Sequence, residues 1–236
     1  MYHGTISTII LIGGCCSLWG LHVVEGNLPA SKRTSQGYGK YRQRNKRTLA
    51  QRCGAIVGWL KDRDKNFYFS RRNVDSGRWW VMITSTVAHD NTLLRLTCNM
   101  LAALLLLPDM IRTAGYLCLI TVWLIAGVGS SLPNLYWPQI KNELPPKLRS
   151  KFGRALNVHR GWDYGGIGAS GALCGILGFL GVTSSTVLLV FAILHSLFGV
   201  FCIKTGIVHG TAHLTHIIGV AIGMLLGLSF LGWEEY

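Results

Sequence analysis

The sequence predicts an all-α membrane protein, a bundle of about six transmembrane helices. Half of the 236 residues are hydrophobic and only 14% are charged, mean hydropathy is +0.35, and the apolar residues gather into runs of membrane length. A helix needs about 20 apolar residues to cross a hydrocarbon core of about 30 Å. Soluble domains carry roughly a quarter charged residues, so the composition excludes an ordinary soluble globule.

In chain order the runs are Ile6 to Val24, Trp79 to Leu107, Tyr116 to Leu132, Gly165 to Val182, Ser184 to Ile203 and Thr211 to Leu231. The first has no Lys or Arg ahead of its apolar centre, unlike a secretory signal peptide. It reads as a retained span, and it lacks the arginines of a mitochondrial presequence. The second is interrupted by His89, Asp90, Asn91, Arg95 and Asn99. A charged side chain at bilayer depth costs about 2.5 to 3.5 kcal/mol on insertion scales, so this span is expected among the others, its polar face on a wet interior. Pro133 to Arg160, basic and containing Pro145-Pro146, reads as the loop joining the third and fourth spans.

Charge is uneven along the chain. Of 23 Lys and Arg residues, 14 fall between Lys32 and Arg78, so the net charge of +13 describes one connecting segment rather than the core. Beside a membrane such a segment meets anionic lipid or marks the non-translocated side. It carries no recognition module, and nucleic acid is not an expected partner. Thr48 to Leu60 reads as a short interfacial helix. The layout is therefore a first span or signal anchor over 1–25, a basic loop over 26–78 and a membrane core over 79–236. Seven cysteines are scattered without a CxxC pair or zinc spacing, and they read as small buried hydrophobes. Neither a metal nor an organic cofactor is expected. Internal repeats of the kind that build transporters are absent from the sequence.

Two residues point to chemistry. Ser170, in Gly168-Ala169-Ser170-Gly171, opens one apolar run, and His216 lies near the start of the last, with Gly219 and Gly223 after it. A serine in the first turn of a helix has its hydroxyl beside unpaired backbone N–H groups and the positive end of the dipole, which favours an oxyanion. Gly171, Gly175 and Gly178 leave related faces of that helix bare, so a neighbour can approach. Read alone, the Gly-x-Ser-Gly string fits a small packing residue as well as a nucleophile. His213 and His216 share a face, but only His216 has glycine at +3 and +7, which points to it as the base. No carboxylate lies beside either in the spans, so a dyad is expected rather than a triad.

Gly77-Arg78-Trp79-Trp80-Val81-Met82-Ile83-Thr84-Ser85, then Ala88-His89-Asp90, Asn99-Met100, the Ser170 element, and Ala212-His213-Leu214-Thr215-His216 with Gly219 and Gly223 resemble a rhomboid intramembrane serine protease. The similarity runs in order over about Phe67 to Leu231. It implies a six-helix bundle whose fourth helix starts at the nucleophile and whose sixth supplies the base. It also implies transmembrane protein substrates in a lipid bilayer, cleaved by a Ser170–His216 dyad. The family's HxxGxxxG pattern falls on His216. Its HxxxN oxyanion pair is matched at Asn99, with Arg95 where the histidine stands, and Gly168 completes the expected oxyanion site. Arg95 either donates in place of the imidazole or turns away to the interface or to Asp90. Cys174 occupies the place of an aromatic that stacks on the base. These two departures leave open a weak or inactive relative that binds membrane clients. Asn66 to Ser70 leading into Gly77 resembles the mitochondrial type, which implies the mitochondrial inner membrane, with a secretory-pathway membrane as the alternative. The positive-inside rule and the family's usual topology disagree about the basic loop.

Overall fold

A computed structural model describes residues 2–27, 56–89, 93–143, 145, 165–166, 168–205 and 210–234. The basic stretch Lys32 to Arg47, the polar pair Asp90 and Asn91, and 146–160 of the expected connecting loop lie outside the described residues. Apart from one pair of two-residue strands, the described regular structure is helical. Helix α1 spans Tyr2–Asn27. Residues 56–61 are helical and lead to α2 (Arg63–Asn66), β1 (Phe69–Ser70), α3 (Arg71–Asp75) and α4 (Val81–Thr84). The long α5 covers Leu93–Glu143, followed by β2 (Gly165–Gly166), α6 (Ser170–Thr183), α7 (Thr186–Thr205) and α8 (Gly210–Glu234).

Of the expected interfacial helix, 48–55 lies outside the described residues and 56–60 is helical; residues 61–78, expected as the end of a loop, are folded as well, and Asn73 is the reason. Its Nδ2 donates to the carbonyls of Asp64 and Tyr68, both at 2.7 Å. Its Oδ1 accepts from Arg78 Nη1 at 2.8 Å, and its own N–H donates to Ser70 Oγ, which caps α3. Gly77, at φ 77°, then turns the chain in a conformation that favours glycine. One buried amide thus ties together two backbone carbonyls and a guanidinium. Asn73→Ala removes all of these side-chain bonds and should cost about 2 kcal/mol; a thermal melt of the detergent-solubilised protein would register the loss.

The apolar run Trp79 to Leu107 is not one helix. Helix α4 ends at Thr84 and α5 begins at Leu93. Hydroxyls compete with the helical ladder here: Thr86 Oγ1 donates to the Ile83 carbonyl at 2.7 Å and accepts from Trp123 Nε1 at 3.1 Å. Hydropathy alone does not register that competition. Helix α5, in turn, continues to Glu143, so 133–143 of the expected loop is helical. Gly115, at φ 79° and ψ 176°, breaks it into two arms. Val87 packs with Leu96 and Met100 of the first arm, while its neighbour Thr86 holds Trp123 of the second. In an unbroken helix Met100 and Trp123 would be about 35 Å apart, so the chain reverses at Gly115.

Helix α6 is the centre of the bundle. Ten of its 14 residues are buried, and Ala172, Leu173, Ile176, Phe179 and Leu180 share a core with Ala103, Leu107 and Met110 from one arm of α5 and Val122 and Trp123 from the other. Large apolar side chains elsewhere point outward, Leu94 at 73% exposure, Leu117 at 80% and Val187 at 77%. Such a surface is stable only against an apolar solvent. Leu93–Pro133 and His213–Gly232 are long and apolar enough to cross a bilayer, and Thr8–Gly20, Ser170–Thr183 and Thr186–Cys202 are shorter apolar helices.

Candidate active site

Ser170 is the first residue of α6, and the chain leading to it is held at two points. Strand β2 pairs antiparallel with β1, Phe69 opposite Gly166 and Ser70 opposite Gly165. Gly168 then adopts φ 134°, a conformation open mainly to glycine, and its N–H donates to the Ser85 carbonyl at 2.9 Å. The cap residue, Ala169, offers no side-chain acceptor. Leu173 N–H bonds to the Ala169 carbonyl at 2.9 Å, so the N–H groups of Ser170, Gly171 and Ala172 precede the helical ladder at the positive end of the dipole.

The base candidate reaches this turn because α6 and α8 touch backbone to backbone. Gly219 lies against the Gly171 carbonyl and Cys174, Gly223 against the Gly175 carbonyl, and Gly178 against the Val220 carbonyl. This register sets the start of α6 beside 215–219 of α8, with the Thr215 methyl group over Gly171. Ser170 and Cys174 are one turn apart on the same side of α6. One ligand atom each of Cys174, His195 and His216 lies within 4.8 Å of the other two. Ser170 and His216 therefore occupy facing stripes of adjoining helices. Among the described residues no hydrogen bond joins them, and His216 Nδ1 is buried without a hydrogen-bond partner.

The His216 ring stacks instead on His195 of α7, centroids 5.4 Å apart and planes at 28°. His195 stacks in turn on Phe191 at 6.3 Å and 16°, and its Nε2 is 4.0 Å from Cys174 Sγ. The small Cys174 leaves room beside His216, and a ring from α7 occupies it. His213 completes the group, edge-on to His216 at 6.2 Å and to Phe198 at 6.2 Å. Sequence reading passed over His195 because it has no motif around it. The signal that marks it is an imidazole in the middle of an otherwise apolar run, which in a membrane points to function.

Asn99 is buried, and its Nδ2 has no hydrogen-bond partner among the described residues. It lies one turn before Ala103, which belongs to the same buried core as Ala169 and Leu173, so it is on the inward stripe of α5. Arg95 is a further turn back and exposed. Gly168 contributes its turn, since its N–H is taken by Ser85. Each buried polar atom left unpaired costs roughly 1 to 3 kcal/mol, and natural structures hold few of them. Asn99 Nδ2 and His216 Nδ1 are two such atoms.

Apolar helices facing outward around a group of polar side chains mark an integral membrane protein. The Rhomboid domain model matches residues 76–233, about two thirds of the chain, and the chain belongs to the rhomboid family. No curated protein matches it.

Proposed function

We propose that the protein is an intramembrane serine endopeptidase acting on peptide bonds in or near transmembrane segments of other membrane proteins. The observation that supports this is that Ser170 opens α6, which is uncapped and packed backbone to backbone against α8, the helix that carries His216, while the buried Asn99 amide has no hydrogen-bond partner among the described residues. Ser170 Oγ attacks the substrate carbonyl while a ring nitrogen of His216 takes the hydroxyl proton. Asn99 Nδ2 and the Ser170 N–H donate to the oxygen as it becomes negative, with Arg95 adding charge from the next turn. His216 then gives the proton to the leaving amine, the acyl ester forms on Ser170, and water from the polar cavity hydrolyses it. Gly168 shapes the turn.

Six spans belong to this proposal: α1, the two arms of α5, α6, α7 and α8. So does the division into a first span at 1–25, a basic segment at 26–78 and a catalytic core at 79–236. The resemblance of Asn66 to Ser70 to the mitochondrial type supports the mitochondrial inner membrane as the location, and an image of tagged protein against a mitochondrial marker tests it.

A second reading, a client-binding relative without turnover, draws support from the missing Ser170–His216 hydrogen bond and from Arg95 at the position of the family's histidine. A fluorophosphonate probe separates the two. A working dyad labels wild-type protein, and labelling falls to background in Ser170→Ala. No labelling of folded wild-type protein overturns the protease.

A further inference from the structure

Cys174, His195 and His216 come from three different helices, α6, α7 and α8, yet a ligand atom of each lies within 4.8 Å of the other two. The Ser170–His216 reading uses only one of them. A thiol and two imidazoles are the donor set that borderline-soft divalent ions take, and Zn²⁺ holds them in a tetrahedron with water in the fourth position. Bond lengths of about 2.3 Å to sulfur and 2.0 to 2.1 Å to nitrogen put tetrahedral ligand atoms about 3.5 Å apart. The ligand atoms lie within 4.8 Å of one another, Cys174 Sγ and His195 Nε2 at 4.0 Å, so binding needs the three side chains to draw in, which rotation of the His195 ring, 28° from that of His216, allows. All three residues are partly accessible rather than sealed in the core. Spacing rules for metal sites look for ligands close together in sequence, and ligands on three helices escape them.

We propose that these three residues form a binding site for a divalent ion of the zinc type, and that the ion switches the protease off. Binding converts the Cys174 thiol to a thiolate bonded to the metal, its proton passing to water, while the two neutral imidazoles donate their lone pairs. The lone pair of His216 is then unavailable to the Ser170 hydroxyl. Binding itself is independent of the dyad reading; only the effect on cleavage rests on it.

The test uses tag-free full-length protein in detergent micelles, titrated with Co²⁺ and followed by absorption. Wild-type protein should develop a thiolate-to-cobalt band and tetrahedral visible bands at one equivalent, and Zn²⁺ should abolish both. Ser170→Ala should keep the signal. Cys174→Ser should lose the thiolate band, and His195→Phe, which preserves a stacking ring, should bind at least about 10-fold more weakly, because even second-layer partners of a metal are worth that much. Both variants are compared by elution volume and circular dichroism to establish that they fold. Absent bands in wild-type protein, or bands unchanged in both variants, overturn the site. A chain that binds cobalt but cleaves nothing sinks the protease alone. A protease whose rate ignores Zn²⁺ sinks the switch alone.

Discussion

Ser170→Ala and His216→Ala each lower the cleavage rate of a transmembrane substrate in proteoliposomes by about 10,000-fold or more, and the double variant is no slower than either single one. The magnitude follows from nucleophile and base acting as one unit: without the base the hydroxyl is a poor nucleophile, and without the hydroxyl the base has nothing to activate. Non-additivity is the more informative half of the result. A residual rate is expected from the proposed oxyanion donors, Asn99 and the helix start, whose hold on the carbonyl does not depend on the dyad. The measurement is single-turnover cleavage with each variant at equal reconstituted concentration. If the double variant is slower than the singles by the product of their separate losses, the two residues act independently and the dyad is wrong.

Gly223→Leu disrupts the bundle itself. A Cβ at that position already meets the backbone of Gly175, its carbonyl first, and backbone cannot rotate aside as a side chain can. The helices have to separate, at a cost of roughly 3 kcal/mol or more, and His216, one helix away from the nucleophile, moves with α8. In a membrane no hydrophobic effect between helices offsets the loss, because lipid is as apolar as the protein surface, and close packing through small residues is the main attraction. Loss of a monodisperse peak on gel filtration, together with loss of activity, is the expected outcome. Gly14→Leu is the control, since a Cβ there meets nothing within 4 Å. Equal behaviour of the two variants would show that the α6–α8 contact does not hold the protein together.

The parts of the fold legible in sequence are those governed by local periodicity. The glycines at 171, 175 and 178 and at 219 and 223 announced helices able to approach closely, and α6 and α8 touch through those residues. The start of α6 at Ser170 was visible because the glycines before it permit a turn and the apolar run after it demands a helix. Three features were hidden. Thr86 ends a helix through hydroxyl bonds that a hydropathy window counts only as polarity. Gly165 and Gly166 form a strand by pairing with residues almost a hundred positions earlier, against their own weak β-propensity. His195 joins the site through the packing of α7, which no neighbouring residue encodes.

The pairing of β1 with β2 has a mechanical meaning. Ser70, which caps the helix that Asn73 locks in place, is bonded across to Gly165, five positions ahead of the nucleophile. The folded piece over 56–78 is thus tied by strand pairing to the residues just ahead of α6. On the proposed reading, a load on that piece is carried toward Ser170 rather than lost in a slack tether, and a tenth of the protein's length becomes a handle on the proposed reaction.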